Sequence, residues 1–287
     1  MKIDSALRVQ LATAFAPLRN QAPVYRFPAT ASLSQLLGKA IPAKSKGLTN
    51  KYVEPAVAQM FATAAVDMWM RAVHSFLISA SLTEVSPIWA SVTGYYSSHY
   101  SIRALAHLLG SFRLFTRGRL VRLHLTGGRY VCTYDSKKGR EHQVYWKIVK
   151  ADQHFGTDPF FNQENPEDAL QQDNPEVAHR DRAQYADHLP QFPAFRPLEK
   201  AALKARIDKI SDTPFDTPPT PEADNYPDVV SVQVIAYHRL VRFRNFVDAI
   251  LGGENAFWKV HRNPSWAIEF MDFQLTEGRK LHSEFTF

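Results

Sequence analysis

The sequence predicts an α+β protein in which a helical core carries a small antiparallel β-meander, either inserted or appended. Residues 53–82 are apolar on nearly all sides, and residues 86–110 repeat apolar side chains every three or four positions; both patterns indicate packed helices. Residues 111–150 change to a period of two with glycine-containing breaks, which is typical of strands. A further apolar segment, residues 229–251, predicts a helix that returns to the core.

The composition limits the size and class of the protein. With 287 residues, of which 45% are hydrophobic, the chain is long enough for one large domain or two small ones. The single cysteine, Cys132, excludes an intrachain disulfide, and no Cys/His spacing of a zinc finger occurs. The N-terminal sequence reads as an amphipathic helix and lacks the apolar region and cleavage site of a signal peptide. We therefore expect a protein of the reducing cytoplasm.

The first predicted helix covers residues 53–82, with Pro55 at a position that suits a first turn. It is long enough to span a bilayer, but Asp67, Arg71 and His74 form a polar stripe near its middle, where charges are costly in lipid. We therefore expect no membrane helix. Either an ion pair between Asp67 and Arg71 explains this stripe, or the stripe is one wall of a site.

The second predicted helix has clear boundary signals: Ser86 as N-cap, Pro87 at the first helical position and Gly110 as C-cap. Four polar or aromatic side chains follow one face at helical spacing. This polar cluster has the groups to bind a phosphate or a base, since arginine forks onto phosphate and aromatic rings stack on bases. The alternative is a rim of the helix without a ligand. The four residues are Tyr96, Tyr100, Arg103 and His107.

Four strands are predicted over residues 112–116, 119–125, 129–134 and 143–149, as an antiparallel meander. Basic residues lie at strand ends, in turns and on one face, interleaved with aromatic residues. Such a sheet is either a nucleic-acid surface or a small sheet with a solvated outer face. The interleaved aromatic residues are Tyr130, Tyr134, Tyr145 and Trp146.

The remaining chain divides at a change of composition. Residues 151–230 hold eleven of the eighteen prolines, with short helices predicted at 175–189 and 197–210 and an extended linker at 213–227. The helix over 229–251 is followed by one over 265–276. The sequence thus predicts four parts: a helical region (1–110), a basic β-meander (111–150), an acidic Pro-rich connection (151–228) and C-terminal helices (229–287).

Charge is strongly polarised along the chain. The net charge is only +6, yet residues 101–150 carry +9 and residues 151–230 carry −9. A cluster of Lys and Arg on a sheet is the electrostatic signature of nucleic-acid binding, unless the two blocks neutralise each other in the fold. The predicted nucleic-acid-binding residues are Arg113, Arg117, Arg119, Arg122, Arg129, Lys137, Lys138 and Arg140.

Motifs with strong chemical specificity do not occur. The sequence contains no phosphate-binding GxxxxGK[ST], dinucleotide-binding GxGxxG, GxSxG, HExxH or EF-hand pattern. The eleven histidines include no pair with a clear metal-binding spacing and a carboxylate. We expect neither a cofactor nor a bound metal.

The segment GYYSSHYSIRALAHLLG, residues 94–110, resembles the tyrosine-rich helix of HEPN-type domains. The resemblance covers about 17 residues, or about 45 with the preceding helix. It implies a helical bundle, commonly dimeric, that cleaves or binds RNA in bacterial defence and toxin systems. Active members carry an R-x(4–6)-H motif whose Arg orients phosphate and whose His moves protons. The candidate catalytic pair is Arg182 and His188, because Arg119 and His124 fit the spacing only on a predicted strand.

Three functions stay open at this point. The first is nucleic-acid binding, RNA more than DNA, as a component of a larger bacterial assembly, with antiviral defence implied by the resemblance. The second is a HEPN-like, metal-independent endoribonuclease. The third is a protein interaction subunit that docks through its acidic segment, with protein partners or self-association.

Overall fold

The computed structural model describes residues 16, 51–53, 56–113, 120–126, 129–135, 141–153, 155–161, 200–214, 217–219 and 228–252. Within them it contains five helices and four strands, which confirms the α+β class. The helices are α1 (Ala56–Leu82), α2 (Pro87–Leu108), α3 (Glu141–Ala151), α4 (Lys200–Ser211) and α5 (Val229–Leu251). The strands are β1 (Lys51–Val53), β2 (Ser111–Arg113), β3 (Leu120–Thr126) and β4 (Arg129–Asp135).

Helix α2 begins and ends close to its predicted signals. Pro87 is its first residue, and the carbonyl of Ser86 accepts a hydrogen bond from the amide of Ala90 at 2.9 Å. Two residues past its end, Gly110 has φ +75°, and its amide donates to the carbonyl of His107 at 2.9 Å. Glycine suits this left-handed conformation because it has no Cβ.

The close packing of the backbone also requires glycine at position 110. A Cβ on Gly110 would lie 2.7 Å from the backbone oxygen of Leu123, whereas a Cβ on Gly252 (φ +90°), after the end of α5, would meet no atom within 4 Å. We therefore expect Gly110→Ala to lower the free energy of unfolding by about 2 kcal/mol or more, and Gly252→Ala by about 1 kcal/mol. Urea unfolding of both variants measures the difference. Equal losses would mean that the close approach to Leu123 has no energetic consequence.

The four strands form one antiparallel sheet in the order β1-β4-β3-β2. Strands β2, β3 and β4 are the predicted meander, and β1 adds to the free edge of β4. The predicted strand over residues 143–149 is wrong, because these residues lie in α3. Tyr145, Trp146 and Val149 are buried while Gln143 and Lys147 are exposed, which is a helical period.

Helix α5 has the predicted bounds, and α4 agrees closely with the helix predicted at 197–210. At the start of α5 the Asp228 carboxylate (Oδ1) accepts a hydrogen bond from the amide of Ser231 at 3.1 Å, which is an N-cap. Helix α1 begins at Ala56, three residues later than predicted, because Val53 belongs to β1. The helices predicted at the N-terminus, at 175–189 and at 265–276 lie outside the described residues.

The chain forms two compact units that do not follow chain order. Unit 1 comprises residues 1–68, 102–154 and 243–287, and unit 2 comprises residues 69–101 and 155–242. Among the described elements, the sheet and α3 belong to unit 1, and α4 belongs to unit 2. The long helices α1, α2 and α5 contribute residues to both.

Hydrogen bonds between α1 and α2 fix an antiparallel hairpin in unit 2. The hydroxyl of Ser79 donates to the carbonyl of Ala90 at 2.6 Å, and the hydroxyl of Ser97 donates to the carbonyl of Ala72 at 2.8 Å. Because small side chains occupy the contact, the two backbones approach closely. The register of the hairpin therefore follows from two serine–carbonyl bonds.

Helix α5 packs on one side of this hairpin. A Cβ on Gly94 of α2 would lie 2.8 Å from Cγ1 of Val232 in α5. The Gln233 amide (Nε2) donates to the hydroxyl of Ser79, in the last turn of α1, at 3.1 Å and to that of Thr83, the first residue after α1, at 2.8 Å. These contacts place the N-terminal end of α5 beside the turn of the hairpin.

Candidate functional site

Three of the predicted nucleic-acid-binding residues lie in the described strands. Arg113 ends β2, Arg122 is the third residue of β3, and Arg129 begins β4. The others lie outside the described residues: Arg117, Arg119, Lys137, Lys138 and Arg140. The structure therefore describes those predicted nucleic-acid-binding residues that lie in the strands.

The strand register puts these three arginines on one face of the sheet. Arg113 is opposite Leu120, and Arg129 is opposite Thr126. Residues directly opposite each other on neighbouring strands have their side chains on the same face, and so do alternate residues of one strand. Leu120, Arg122 and Thr126 are alternate residues of β3, so Arg113, Arg122 and Arg129 share one face. We call Arg113, Arg122 and Arg129 the arginine face.

The other face of the sheet belongs to the core of unit 1. Phe112, Val121 and Leu123 alternate with the arginine face and are buried. The Phe112 ring lies 6.1 Å from the Phe61 ring and 5.0 Å from the His107 ring. Burial of these apolar side chains fixes which face the arginines occupy, because a one-residue slip would exchange the two faces.

Arg113 and Arg122 are half-buried on the arginine face. The Nε atom of each is buried and donates no hydrogen bond within the described part of the chain. A guanidinium carries five donors in a planar fork that matches the oxygens of a phosphate. The two half-buried guanidinium groups therefore add positive charge to this face, while their Nε atoms lie below its surface.

The interleaved aromatic residues do not share the arginine face. Tyr145 and Trp146 are buried on α3, so the interpretation of a basic aromatic sheet that includes them is wrong. Tyr145 instead supports β2, since its hydroxyl accepts a hydrogen bond from the amide of Arg113 at 3.0 Å. Tyr130 and Tyr134 are opposite Leu125 and Val121, and these register positions fall on the other face.

The polar cluster of α2 divides by burial. Arg103 (7% exposed) and His107 (0%) lie inside unit 1, whereas Tyr96 and Tyr100 are half-buried in unit 2. The guanidinium of Arg103 lies 5.3 Å from the centre of the Tyr145 ring, a cation–π contact. The structure does not present all four side chains at one surface, and Arg103 and His107 serve the core.

His107 is a neutral core histidine. Its Nδ1 donates to the carbonyl oxygen of Ser111 at 2.9 Å, because a carbonyl only accepts. Burial, followed by the charge of Arg103, lowers the pKa of His107 to about 3, although the bond to Ser111 opposes both effects. A buried imidazole in this state holds the chain past the end of α2 and carries no charge at neutral pH.

Tyr96 and Tyr100 belong to a closed group of four rings on α2. Centroids of Tyr95 and Tyr96 lie 5.4 Å apart, those of Tyr95 and His99 lie 6.3 Å apart in a stacked arrangement, and those of His99 and Tyr100 lie 5.8 Å apart. Tyr96 and Tyr100 close the group at 6.0 Å. Because Tyr95 and His99 are buried, the two half-buried rings are held in place from below.

A buried ion pair in unit 2 has no counterpart in the sequence analysis. Nε of Arg242, on α5, donates to the Asp158 carboxylate (Oδ2) at 2.6 Å. Nε and Nη2 of Arg239 donate to the carbonyl of Phe160 at 2.9 and 2.7 Å. Arg242 also lies 3.9 Å from the centre of the Phe160 ring. We call Asp158, Phe160, Arg239 and Arg242 the buried arginine pair site.

His238 adjoins the buried arginine pair site. Its Nε2 lies 3.0 Å from the hydroxyl of Thr213, and burial, followed by the charge of Arg242, lowers the pKa of His238 to about 3. Burial and the charge of Arg239 lower the pKa of Arg242, while Asp158 opposes that shift. The signal in the sequence is three arginines, Arg239, Arg242 and Arg244, in a helix rich in Val, Ile, Leu and Phe, because buried arginines require partners.

Other predicted features lie outside these two sites. The candidate catalytic pair, Arg182 and His188, is not among the described residues. Within the described ranges, no three His, Cys, Asp or Glu side chains come together as a metal site. No helix within these ranges combines the length and apolar character needed to cross a membrane.

Comparison with protein-family models, with curated proteins and with solved structures found no match to this chain.

Proposed function

We propose that this protein binds nucleic acid, RNA more than DNA, through the arginine face. The observation that carries the proposal is the strand register, which puts Arg113, Arg122 and Arg129 on one face of the sheet. The buried Leu120 and Val131 lie between them on the same face. The basic block of the sequence, +9 over residues 101–150, supports the same surface.

The arginine face has dimensions that suit a nucleic-acid backbone. Its three arginines are level with residues 120, 122 and 126 of β3, a separation of about 20 Å at about 3.3 Å per residue. Several successive phosphates fit along that length. Positively charged side chains that neutralise phosphates release counterions, so binding of this kind weakens as salt is added.

The preference for RNA and the role within a larger bacterial assembly, in antiviral defence, rest on the resemblance of the tyrosine-rich helix. The proposal of a cytoplasmic location rests on the single Cys132, which cannot form an intrachain disulfide. Cleavage of RNA by Arg182 and His188 stays a separate prediction, and labelled RNA incubated with the protein in EDTA tests it.

The proposal predicts a change in the salt dependence of RNA binding. Replacing Arg113, Arg122 and Arg129 together by Gln should weaken binding of a labelled single-stranded 20-mer at least tenfold at 50 mM salt. It should also reduce the slope of log K against log[salt] by about 2, at about 0.7 per phosphate contact. Fluorescence anisotropy at four salt concentrations measures both quantities.

Two variants provide the controls. The triple Arg→Lys variant keeps three charges and should keep most of the slope. Lys209→Gln removes an exposed charge on α4 and should leave affinity and slope unchanged. An unchanged slope in the folded triple Gln variant, checked by thermal melting, would contradict the proposal.

A further inference from the structure

An aromatic strip runs along the exposed side of α2 in unit 2. Trp89, Thr93, Tyr96 and Tyr100 follow one another at spacings of four, three and four residues, which keeps them on one side of a helix. Trp89 is 58% exposed, and the other three are half-buried. We call Trp89, Tyr96 and Tyr100 the aromatic strip; it is about 16 Å long at 1.5 Å per residue.

Two exposed polar residues of α1 lie near the level of the aromatic strip. Arg71 and His74 are exposed on α1, which runs antiparallel to α2 in the hairpin. The two serine–carbonyl bonds, from Ser97 to Ala72 and from Ser79 to Ala90, set a register in which Arg71 is level with the interval between Tyr96 and Tyr100.

Helical rotation of about 100° per residue places Arg71 and the strip on the same side of the hairpin. On α1, Arg71 lies about 160° around the helix from Trp69, whose Nε1 donates to the carbonyl of Leu240 in α5. His74 lies about 160° from Ala72, on the side of α1 that faces away from α2. On α2, the strip lies away from Gly94, which contacts α5 at Val232. The strip and Arg71 therefore share the side of the hairpin that faces away from α5.

We propose that the aromatic strip stacks the bases of a single-stranded RNA. This inference deepens the proposed function and rests on it. Stacked bases need rigid rings, and the ring group of Tyr95 and His99 holds Tyr96 and Tyr100 in place. The strip's length accommodates two or three nucleotides, while Arg71 supplies positive charge for their phosphates. Duplex RNA keeps its bases paired and cannot stack in this way.

The composition of this surface favours RNA over a protein partner. The strip is one side chain wide, and Thr93 interrupts it between Trp89 and Tyr96. A stable protein interface needs about 800 Å² on each partner, with an apolar centre. A narrow row of aromatic rings beside an arginine instead matches the alternation of bases and phosphates in a single strand.

Intrinsic fluorescence and binding of matched RNAs test the inference. We expect Trp89→Ala to weaken binding of a single-stranded 12-mer about tenfold, the effect of one lost base stack, and to leave its salt slope unchanged. Trp89→Phe should keep most of the affinity. Quenching of tryptophan fluorescence by the 12-mer should disappear in Trp89→Phe, and duplex RNA of the same sequence should not cause it. The control is Val230→Ala, which removes an exposed apolar side chain of α5 in unit 2 (53% exposed) and should bind as wild type.

The outcomes separate this inference from the proposed function. If Trp89→Ala binds the 12-mer as wild type while the arginine-face variant does not, the strip is not a stacking site and the proposed function stands. If Trp89→Ala weakens binding and the arginine-face variant does not, the strip is the binding site and the arginine face is not. Absence of RNA binding by wild type at 50 mM salt overturns both. A Trp89-dependent change in sedimentation without RNA identifies a protein interface and overturns the stacking role.

Discussion

Replacement of Asp158 by Ala is expected to lower the free energy of unfolding by about 3–5 kcal/mol, because it leaves a buried guanidinium without its carboxylate. Asp158 and Arg242 are both almost completely buried, and their bond is 2.6 Å long. Desolvated charge is costly unless an opposite charge and hydrogen bonds compensate it. Arg239 lies on the same helix as Arg242, so the variant leaves two guanidinium groups near one another inside unit 2.

Asp158 also supports the turn that carries it. Its Oδ1 accepts a hydrogen bond from the amide of Phe160 at 2.9 Å, and the carbonyl of Phe160 is the acceptor for Arg239. The carboxylate thus orients the group that binds the second arginine. Loss of Asp158 removes the ion pair and weakens the geometry of the Arg239 bonds together.

Urea unfolding of Asp158→Ala and of a control pair measures this effect. Glu84→Ala removes the carboxylate of the exposed Arg206–Glu84 pair and should cost less than about 1 kcal/mol. Combining Asp158→Ala with Arg242→Met removes both charges and should recover part of the loss. If Asp158→Ala unfolds within 1 kcal/mol of wild type, the ion pair does not stabilise unit 2.

Local signals in the sequence predicted the helices with clear ends. Pro87 and Gly110 mark α2 because a first-turn proline and a left-handed glycine act within a few residues. The sequence predicts a strand at residues 143–149 because these residues are rich in Val, Ile and aromatic side chains. The buried side of a helix has the same composition, so composition alone does not distinguish the two. The buried set Tyr145, Trp146 and Val149 has the period that distinguishes the two.

Non-local partners could not be predicted in the same way. Strand β1 joins β4 from about eighty residues away, and its three residues carry too little pattern to predict a strand. Asp158 is eighty-four residues from Arg242, and no local rule identifies it as the partner of that arginine. The sequence predicts only part of the arginine face. Alternation along β3 puts Arg122 on the face that Val121 does not share, but only the pairing between strands shows that Arg113 and Arg129 lie on the same face as Arg122.

Charge counted along a sequence also differs from charge at a surface. Arg103 belongs to the +9 block, yet it is buried against Tyr145 and contributes nothing to an exposed basic patch. The arginine face therefore depends on the half-buried residues of the strands. An anion that binds there would contact specific guanidinium groups at fixed register positions, and its affinity would depend on those positions as well as on the net charge.

Acidification is expected to destabilise the protein between about pH 6.5 and pH 3 through His107 and His238. Burial lowers the pKa of each from 6.5 to about 3 in the folded chain. In this interval the unfolded chain binds protons that the folded chain does not, so the unfolding free energy falls as the pH falls. At pH 5 the expected loss is about 2 kcal/mol for each histidine relative to pH 7, and above pH 6.5 both contributions are fully present.

Variants that keep an aromatic ring isolate each contribution. His107→Phe preserves ring packing against Phe112 and Tyr145 and removes the titrating group, so about half of the loss due to the two histidines between pH 7 and pH 5 should disappear. His238→Phe should remove the other half, since its ring also contacts Phe160 at 4.8 Å. The exposed Lys209 supplies the control, because Lys209→Gln keeps both buried imidazoles and should lose stability with falling pH as wild type does. Urea unfolding at pH 7, 6 and 5 measures each slope; parallel slopes for wild type and the double Phe variant would show that neither buried imidazole takes up a proton on unfolding.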